Sequence, residues 1–376
     1  MNFLFACGGT AGHINPALAI AAELRRSVPD AGFLFIGAGR EMENRLIPDA
    51  GYELENIKMS GLKRGYSPGD LLSNFKTVRE VAKANARAAE IIRDFGPSAA
   101  VGTGGYICYP VLRTAAKMGV PSFIHESNAV PGLTTKLLGA IVDRVFVSFP
   151  GIEDKYRKPE RVVFTGTPVR DGFARPGGGC GRAENEKPTV ASFWGSLGAE
   201  HMNEIMAEFI RLNIAAGEFD HIHATGNNAA EVMKQRLARL GVADELPPGV
   251  EIREYIDDMP AVMRSADLIL CRAGGSTVAE LTALGKPAVL VPSPYVTNDQ
   301  QTHNALQVHK AGGAVMLPEK DCSGEKLFDL VSTILRNTAE LKKMADAQTA
   351  LGVPDAASRI SEIILARCTG TDAAGE

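Results

Sequence analysis

No two of the six cysteines (Cys7, Cys108, Cys180, Cys271, Cys322, Cys368) form a CxxC pair or stand at metal-ligand spacing. The chain also opens without a charged leader and signal-type cleavage site, so these absences together point to reduced thiols in a cytoplasm. No apolar run reaches the length needed to cross a bilayer, so any membrane contact must be peripheral. A basic surplus is missing too: the formal net charge of -4 offers no electrostatic footprint for nucleic acid. Tandem repeats are absent, and no DxD-type acidic pair sits where it would hold a metal.

What is present is ordinary for a soluble globular protein, 45% hydrophobic and 22% charged, in a chain of 376 residues that exceeds what one core supports. Short apolar runs alternate with helix-length amphipathic segments. "FLFA", "AGFLFIG", "AAVGTGG", "PSFIHES", "RVFVSF" and "VVFTG" occupy the first half, "TVASFWG", "HIHATG", "VEIREYI", "LILCRAGG", "PAVLVPS" and "GAVML" the second. This predicts βαβ units and two doubly wound parallel sheets. The expected division is a first domain over 1–165, a Gly- and Pro-rich linker over 166–188, a second domain over 189–345, and a terminal helix and frayed tail over 346–376.

Each half carries a Gly-rich turn after an early strand and another after a late one, and two such domains facing each other would bring all four turns to one central cleft. The first, Gly8-Gly9-Thr10-Ala11-Gly12, leads into a helix expected to start near Pro16. Its bare backbone suits a diphosphate at the positive end of a helix, or it is a tight turn with no ligand. A GxGxxG dinucleotide fingerprint is not matched. His13 at the helix entrance is either a base for a sugar hydroxyl or a capping histidine.

In "CRAGGSTVAE", Ser276 or Thr277 is the expected helix cap, with free N–H groups for a diphosphate. Glu280 either complements the helix dipole or accepts ribose hydroxyls. "HESNAVPG" and "NDQQTHNA" read as wet loops or, through Asn128, Gln300 and Gln301, as amides for sugar hydroxyls. In the segment 59–87, Leu71, Leu72 and Phe75 mix with Lys76 and Arg79. That pattern fits a helix packed on the sheet or an interfacial patch dipping into anionic lipid.

Taken in order, "GGTAGHINPALAIA", "VGTGGYICYP", "HESNAVPGLTTKLL", "FTGTPVR", "WGSLGA", "YIDDMPAVMRSADLILCRAGGSTVAELTALGKPAVLVPSP" and "NDQQTHNA" resemble the MurG family of peptidoglycan glycosyltransferases. The chain departs from the family's pattern at Ala11, Ser127, Trp194 and Leu197. The resemblance implies the two-domain GT-B fold and inverting transfer of N-acetylglucosamine from UDP-GlcNAc to the C4 hydroxyl of the muramyl sugar of lipid I, forming lipid II. Other readings are another GT-B lipid glycosyltransferase, a UDP-GlcNAc 2-epimerase, and a non-catalytic nucleotide-sugar-binding subunit.

By the same resemblance, Thr10, Ala11, Gly12 and Asn128 lie near the transferred sugar, Arg170 and Ser196 on the diphosphate side, and the Ile256 backbone at the uracil. Gly275, Ser276, Thr277, Val278, Ala279 and Glu280 form the diphosphate and ribose turn, while Gln300 and Gln301 read sugar hydroxyls. Gly8, Gly9, Gly104 and Gly105 are expected to receive the acceptor diphosphate, with His13 as base and Glu126 as its rival. No bound metal or cofactor is expected, and magnesium would act only through the substrates' diphosphates. A peripheral place on the cytoplasmic face of the inner membrane is implied, with cell-wall or division machinery as further partners.

Overall fold

Buried parallel strands read as continuous apolar runs because helices cover both faces of their sheet, and every run quoted above is a strand in the computed structural model. The structure describes residues 1–58, 68–173, 187–195, 198–226 and 229–371, with side chains of the helix at 68–95 described from Glu80 onward. The expected linker's centre, Ser196 and Leu197, the side chains of Leu71, Leu72, Phe75, Lys76 and Arg79, and the tail beyond 371 lie outside the described residues.

The first unit comprises β1 (Asn2–Cys7), α1 (Ala11–Ser27), β2 (Gly32–Gly37), α2 (Glu41–Asp49), β3 (Glu53–Asn56), α3 (Pro68–Phe95), β4 (Ala99–Gly104), α4 (Cys108–Lys117), β5 (Ser122–Glu126), α5 (Leu133–Gly139), β6 (Arg144–Val147) and β7 (Val162–Phe164). Its strands order as β3-β2-β1-β4-β5-β6-β7, all parallel. The register sets Phe3 beside Phe33 and Phe5 beside Phe35, the latter rings stacked at 4.9 Å in a core that α1 covers. β3, "ELEN", carries no apolar run because it is a half-exposed edge strand.

The second unit comprises β8 (Thr189–Phe193), α6 (Glu200–Ala216), β9 (Asp220–Ala224), α7 (Ala230–Arg239), β10 (Val250–Arg253), α8 (Met259–Ser265), β11 (Leu268–Cys271), α9 (Gly275–Leu284), β12 (Ala288–Leu290), α10 (Gln300–Lys310), β13 (Ala314–Met316), α11 (Gly324–Arg336) and α12 (Thr338–Leu351). Its parallel order is β10-β9-β8-β11-β12-β13. In both sheets the order reverses beside the first strand, between β1 and β4 and between β8 and β11. Ligands of doubly wound sheets collect beyond the strand ends at such a point.

The chain returns to the first unit at Val353, after α12, rather than leaving 346–376 as one terminal segment. The cause is apolar: Ile360 and Ile364 of α13 (Ala356–Thr369) are fully buried with Phe3, Phe33 and Ile20, and Arg367 pairs with Asp143 at 3.0 Å.

Three histidines are buried without a counter-charge. Ser192 Oγ lies 2.8 Å from His221 Nε2 and 2.7 Å from His223 Nδ1, beneath the rings of Phe209 and Phe219. Burial lowers His221 well below the ordinary histidine value, His223 to about 3, and, in the first unit, His125 to about 4. The unfolded chain takes up protons below pH ~6.5 that the native state refuses. Stability is therefore complete above that pH. It falls by about 1.4 kcal/mol per pH unit per imidazole until the native groups protonate. Urea unfolding across pH 7 to 4 is expected to show this steep loss, and His223→Gln should flatten the slope by about a third; an unaltered slope would show that His223 is not held neutral.

Candidate functional site

The turn after β1 is shaped by hydrogen bonds that start the helix early. Thr10 O accepts the His13 and Ile14 N–H groups at 3.0 and 3.2 Å, so α1 begins at Ala11 and runs through Pro16, one turn before the expected start. His13 is thereby the third residue of the helix. Its Nδ1 lies 2.8 Å from Gly8 O. A carbonyl can only accept, so Nδ1 carries the hydrogen and the neutral ring keeps its lone pair on Nε2. Thr103 Oγ1 donates to His13 O at 2.6 Å, fastening the helix start to the end of β4.

The glycines of this region serve contact between turns. A Cβ on Gly104 (φ +132°) would lie 2.3 Å from His13 Cδ2, and one on Gly105 (φ +91°) 2.5 Å from Gly8 O. In the turn expected to cradle a diphosphate, several donors have internal partners. The Gly8 N–H donates to Gly104 O at 3.2 Å, the Gly9 N–H to Glu43 Oε1 at 2.8 Å, and the Gly104 N–H to Cys108 Sγ at 3.3 Å. An anion bound here would share or displace these bonds and would meet the Glu43 carboxylate beside Gly9.

Glu43 is a residue of this turn that sequence reading missed. Wholly buried at the third position of α2, it accepts the N–H groups of Ala38, Gly39 and Arg40 on Oε2 at 2.6, 2.9 and 3.1 Å, and that of Gly9 on Oε1. The available signal was a glutamate three residues beyond a helix start. Its reach to Gly9, 34 residues away, had none.

Glu126 is likewise occupied. Oε1 accepts the Asn128 N–H and Nδ2–H at 3.0 and 2.8 Å, and Oε2 accepts the Gly132 N–H and Thr135 Oγ1–H at 2.9 and 2.8 Å. A buried carboxylate with four donors anchors the 127–132 loop and orients the Asn128 amide. Taking a substrate proton there would cost one of these four bonds, whereas His13 Nε2 has no such commitment to the loop. Arg170, half-buried, ends this unit.

In the second unit α9 begins at Gly275 with Gly274 in the cap position. Ser276 and Thr277 are therefore inside the first turn, correcting their expected role as caps. Among the described residues this helix has no side-chain cap and no acid in its first turn, whereas α8, α11 and α12 are capped by Asp258, Ser323 and Asn337. Glu280, one turn further and 9% exposed, lies on the same helix as Val278 and Ala279.

The approach to α9 is held by groups the sequence did not mark. Arg272 donates to Val291 O at 3.1 Å, pairs with buried Glu319 at 2.6 Å, and lies 5.8 Å over the ring of Trp194. Asn304 Nδ2 donates to Ala273 O at 3.1 Å. Gln300 and Gln301 open α10 directly after Asn298 and Asp299, both in the left-handed region at φ 56° and 50°. Gln301 Oε1 accepts the Ser293 N–H at 2.8 Å, committing half its amide to the loop. Asp299 and Thr302 also line a cavity of ≈ 480 Å³ with Tyr295 and His201. Ile256 is buried just before the Asp258 cap. Among the described residues no three His, Cys, Asp or Glu side chains converge to hold a metal ion.

The packing on Gly104 generates a test. Gly104→Ala should push the His13 ring off Gly8 O and cost roughly 1–3 kcal/mol of unfolding free energy in urea. Gly119→Ala, at φ +78° with open space around it, gives the cost of alanine at a positive-φ position with no side-chain contact. Equal costs for the two would show that His13 does not pack as described.

The Glycosyltransferase family 28 N-terminal domain matches residues 3–147, and the family's C-terminal domain matches residues 189–360. A protein of Acetivibrio thermocellus, named UDP-N-acetylglucosamine--N-acetylmuramyl-(pentapeptide) pyrophosphoryl-undecaprenol N-acetylglucosamine transferase, is 40% identical over 368 residues, 97% of each chain. A Bacillus cytotoxicus protein of the same name is 39% identical over 97% of this chain and 98% of its own. The crystal structure of Acinetobacter baumannii MurG superposes with a TM-score of 0.73 at 26% identity, over 97% of this chain and 99% of that one. With both domain types matched in order, and relatives of this similarity along the whole length, the chain belongs to glycosyltransferase family 28.

Proposed function

We propose that this glycosyltransferase moves N-acetylglucosamine from UDP-GlcNAc to the C4 hydroxyl of the muramyl sugar of lipid I, with inversion, giving lipid II for peptidoglycan. The observation that carries the reading is the match along 97% of both chains to transferases named for that reaction. The geometry supports it with a histidine at the start of α1 in the first unit and, in the second, a helix N-terminus with no side-chain cap and no acid in its first turn.

In the reaction the acceptor O4 forms a bond to the anomeric carbon, the bond from that carbon to the diphosphate oxygen breaks, and UDP leaves with the electron pair. The hydroxyl proton passes to Nε2 of His13, the nitrogen that the Gly8 carbonyl leaves unprotonated. The N–H groups at Gly275, Ser276 and Thr277, with the helix dipole behind them, meet the charge on the departing diphosphate. Preorganised donors do the work a metal does elsewhere, and Ser196 adds a hydroxyl. Magnesium, where it stimulates, acts on the substrates' own diphosphates.

Glu280 accepts ribose hydroxyls, Ile256 offers its backbone to uracil, Arg170 faces the diphosphate side, and Gln300 and Gln301 read the sugar. Thr10, Ala11, Gly12 and Asn128 border the transferred sugar. Gly8, Gly9, Gly104 and Gly105 border the acceptor diphosphate, which would exchange for some of the internal bonds of that turn. The protein works peripherally on the cytoplasmic face of the membrane, through Leu71, Leu72, Phe75, Lys76 and Arg79. Among the described residues no helix is long and apolar enough to span a bilayer.

Radiolabelled UDP-GlcNAc and a short-chain lipid I analogue test the chemistry. Label is expected to pass to the lipid, without loss in EDTA when the substrates are saturating, and His13→Ala should lower kcat by roughly 10²–10⁴ with donor binding kept. Bound donor without transfer would mean another acceptor or a binding subunit. In liposome flotation, replacing Leu72 and Phe75 with serine should reduce the bound fraction; unchanged flotation would remove the interfacial patch.

A further inference from the structure

Gly8 O and the Gly9 N–H belong to one peptide group, and the structure engages both ends of it. On one side the Gly9 N–H donates to Glu43 Oε1 at 2.8 Å; on the other, Gly8 O accepts from His13 Nδ1 at 2.8 Å. A trans peptide points these two groups in opposite directions, so carboxylate, peptide and imidazole form a continuous line. We propose that Glu43 is a positioning residue for the transfer reaction, acting on His13 through the Gly8–Gly9 peptide. This rests on the reading of His13 as the base.

The physical argument is polarisation. A carboxylate accepting the N–H draws positive charge toward that end of the peptide and leaves the carbonyl oxygen more negative, as successive hydrogen bonds strengthen one another in a low dielectric. The more negative oxygen holds the Nδ1–H more firmly, keeps the tautomer with its lone pair on Nε2, and stabilises the imidazolium formed when Nε2 takes the acceptor's proton. No proton travels along the line. Glu43 acts through its charge, and His13 takes the acceptor's proton, as in a catalytic histidine with an acidic partner behind it; buried His125 is the other titratable ring in electrostatic reach of His13.

The competing account makes Glu43 an ordinary cap at the start of α2. That accounts for Oε2, which takes the three N–H groups of residues 38–40, but not for Oε1, which is directed at a different turn. The surroundings are cut to fit this carboxylate: a Cβ on Gly8 would lie 2.4 Å from Oε1, and one on Gly37 2.7 Å from Oε2. Neither glycine is in the positive-φ region, so it is the space beside Glu43, shared at Gly37 with Asn56 Oδ1 at 3.1 Å, that favours them.

Two experiments separate the accounts. In wild-type protein labelled with ¹⁵N-histidine, ¹⁵N-glycine and ¹³C-glutamate, the neutral His13 ring should be protonated at Nδ1, and the Gly9 amide and Glu43 carboxyl resonances should shift with the same midpoint as His13. A ring protonated at Nε2, or signals that titrate independently, would overturn the proposal. This readout needs no turnover, so it stands apart from the transferase reading. In Glu43→Gln, kcat should fall roughly 10- to 100-fold, with the acidic limb of the rate profile moved to lower pH because the imidazolium is less stabilised. In the His13→Ala background the same change should cost little more. A uniform loss with an unmoved limb, or full additivity, would make Glu43 a cap only. If Glu43→Gln does not fold, as judged by circular dichroism, the wild-type spectra decide.

Discussion

The close approach of β1 and β4 where the strand order reverses is the constraint on which the first unit's site depends. Two strand-to-helix turns must leave neighbouring strands at one end of the sheet, and here they touch: Gly105 meets Gly8, and Gly104 meets the His13 ring. Contact at that distance leaves no room for Cβ atoms, and it brings backbone groups of one turn within reach of the other. The Gly8 N–H and Thr103 hydroxyl use that reach to fasten β1, β4 and α1 together. His13 is oriented as a consequence, because its Nδ1 meets the carbonyl of the turn it grows from.

The second sheet meets the same topological demand with different chemistry. Beyond β8 and β11 the turn is braced by a buried ion pair, Arg272 with Glu319, beneath Trp194, and by Asn304 on Ala273 O. Taking two charges out of water is costly, and an ion pair offsets that cost only when its hydrogen bonds are well placed. Arg272 is held on its other side by donating to Val291 O, while Glu319 Oε2 meets the guanidinium as a charge contact without hydrogen-bond geometry. Such rigidity has a use at the start of α9, since a helix end can stabilise a leaving diphosphate without reorganising only if the turn before it is already fixed. The left-handed Asn298 and Asp299 are a further cost accepted in this region, of order 1–3 kcal/mol each, to aim Gln300 and Gln301.

The architecture was legible because its signal is local and repeated. Apolar runs of four to seven residues mark strands buried on both faces, and the polar edge strand β3 escaped notice because it lacks such a run. Charged and amide groups of the site could be named, yet their partners could not. Nothing local distinguishes an N–H that awaits a phosphate from one that donates to Glu43 34 residues away, or shows that Glu126 would spend both oxygens on its own loop. Helix starts failed for a related reason. Pro16 and Ser276 are strong local signals, but the helices begin earlier because Thr10 O and Gly274 O accept the first bonds.

The indirect link between Glu43 and His13 also resolves a conflict inherent in general-base catalysis. A carboxylate in direct contact with an imidazole favours the charged ring, and a ring already protonated cannot accept a proton from the substrate. With no acid nearby, the imidazolium formed in the reaction would have nothing to stabilise it. A peptide placed between the two groups moderates the interaction: its carbonyl fixes the ring and its tautomer before reaction, while the polarising charge beyond it matters most once the ring has become positive. The benefit is therefore larger in the transition state than in the ground state, which is the condition for raising kcat rather than merely tightening binding. The same geometry explains why glycine occupies both Gly8 and Gly9. The first must leave space for Glu43 Oε1, and the second, at φ +96°, must turn the chain so that one peptide can face a carboxylate and a histidine at once.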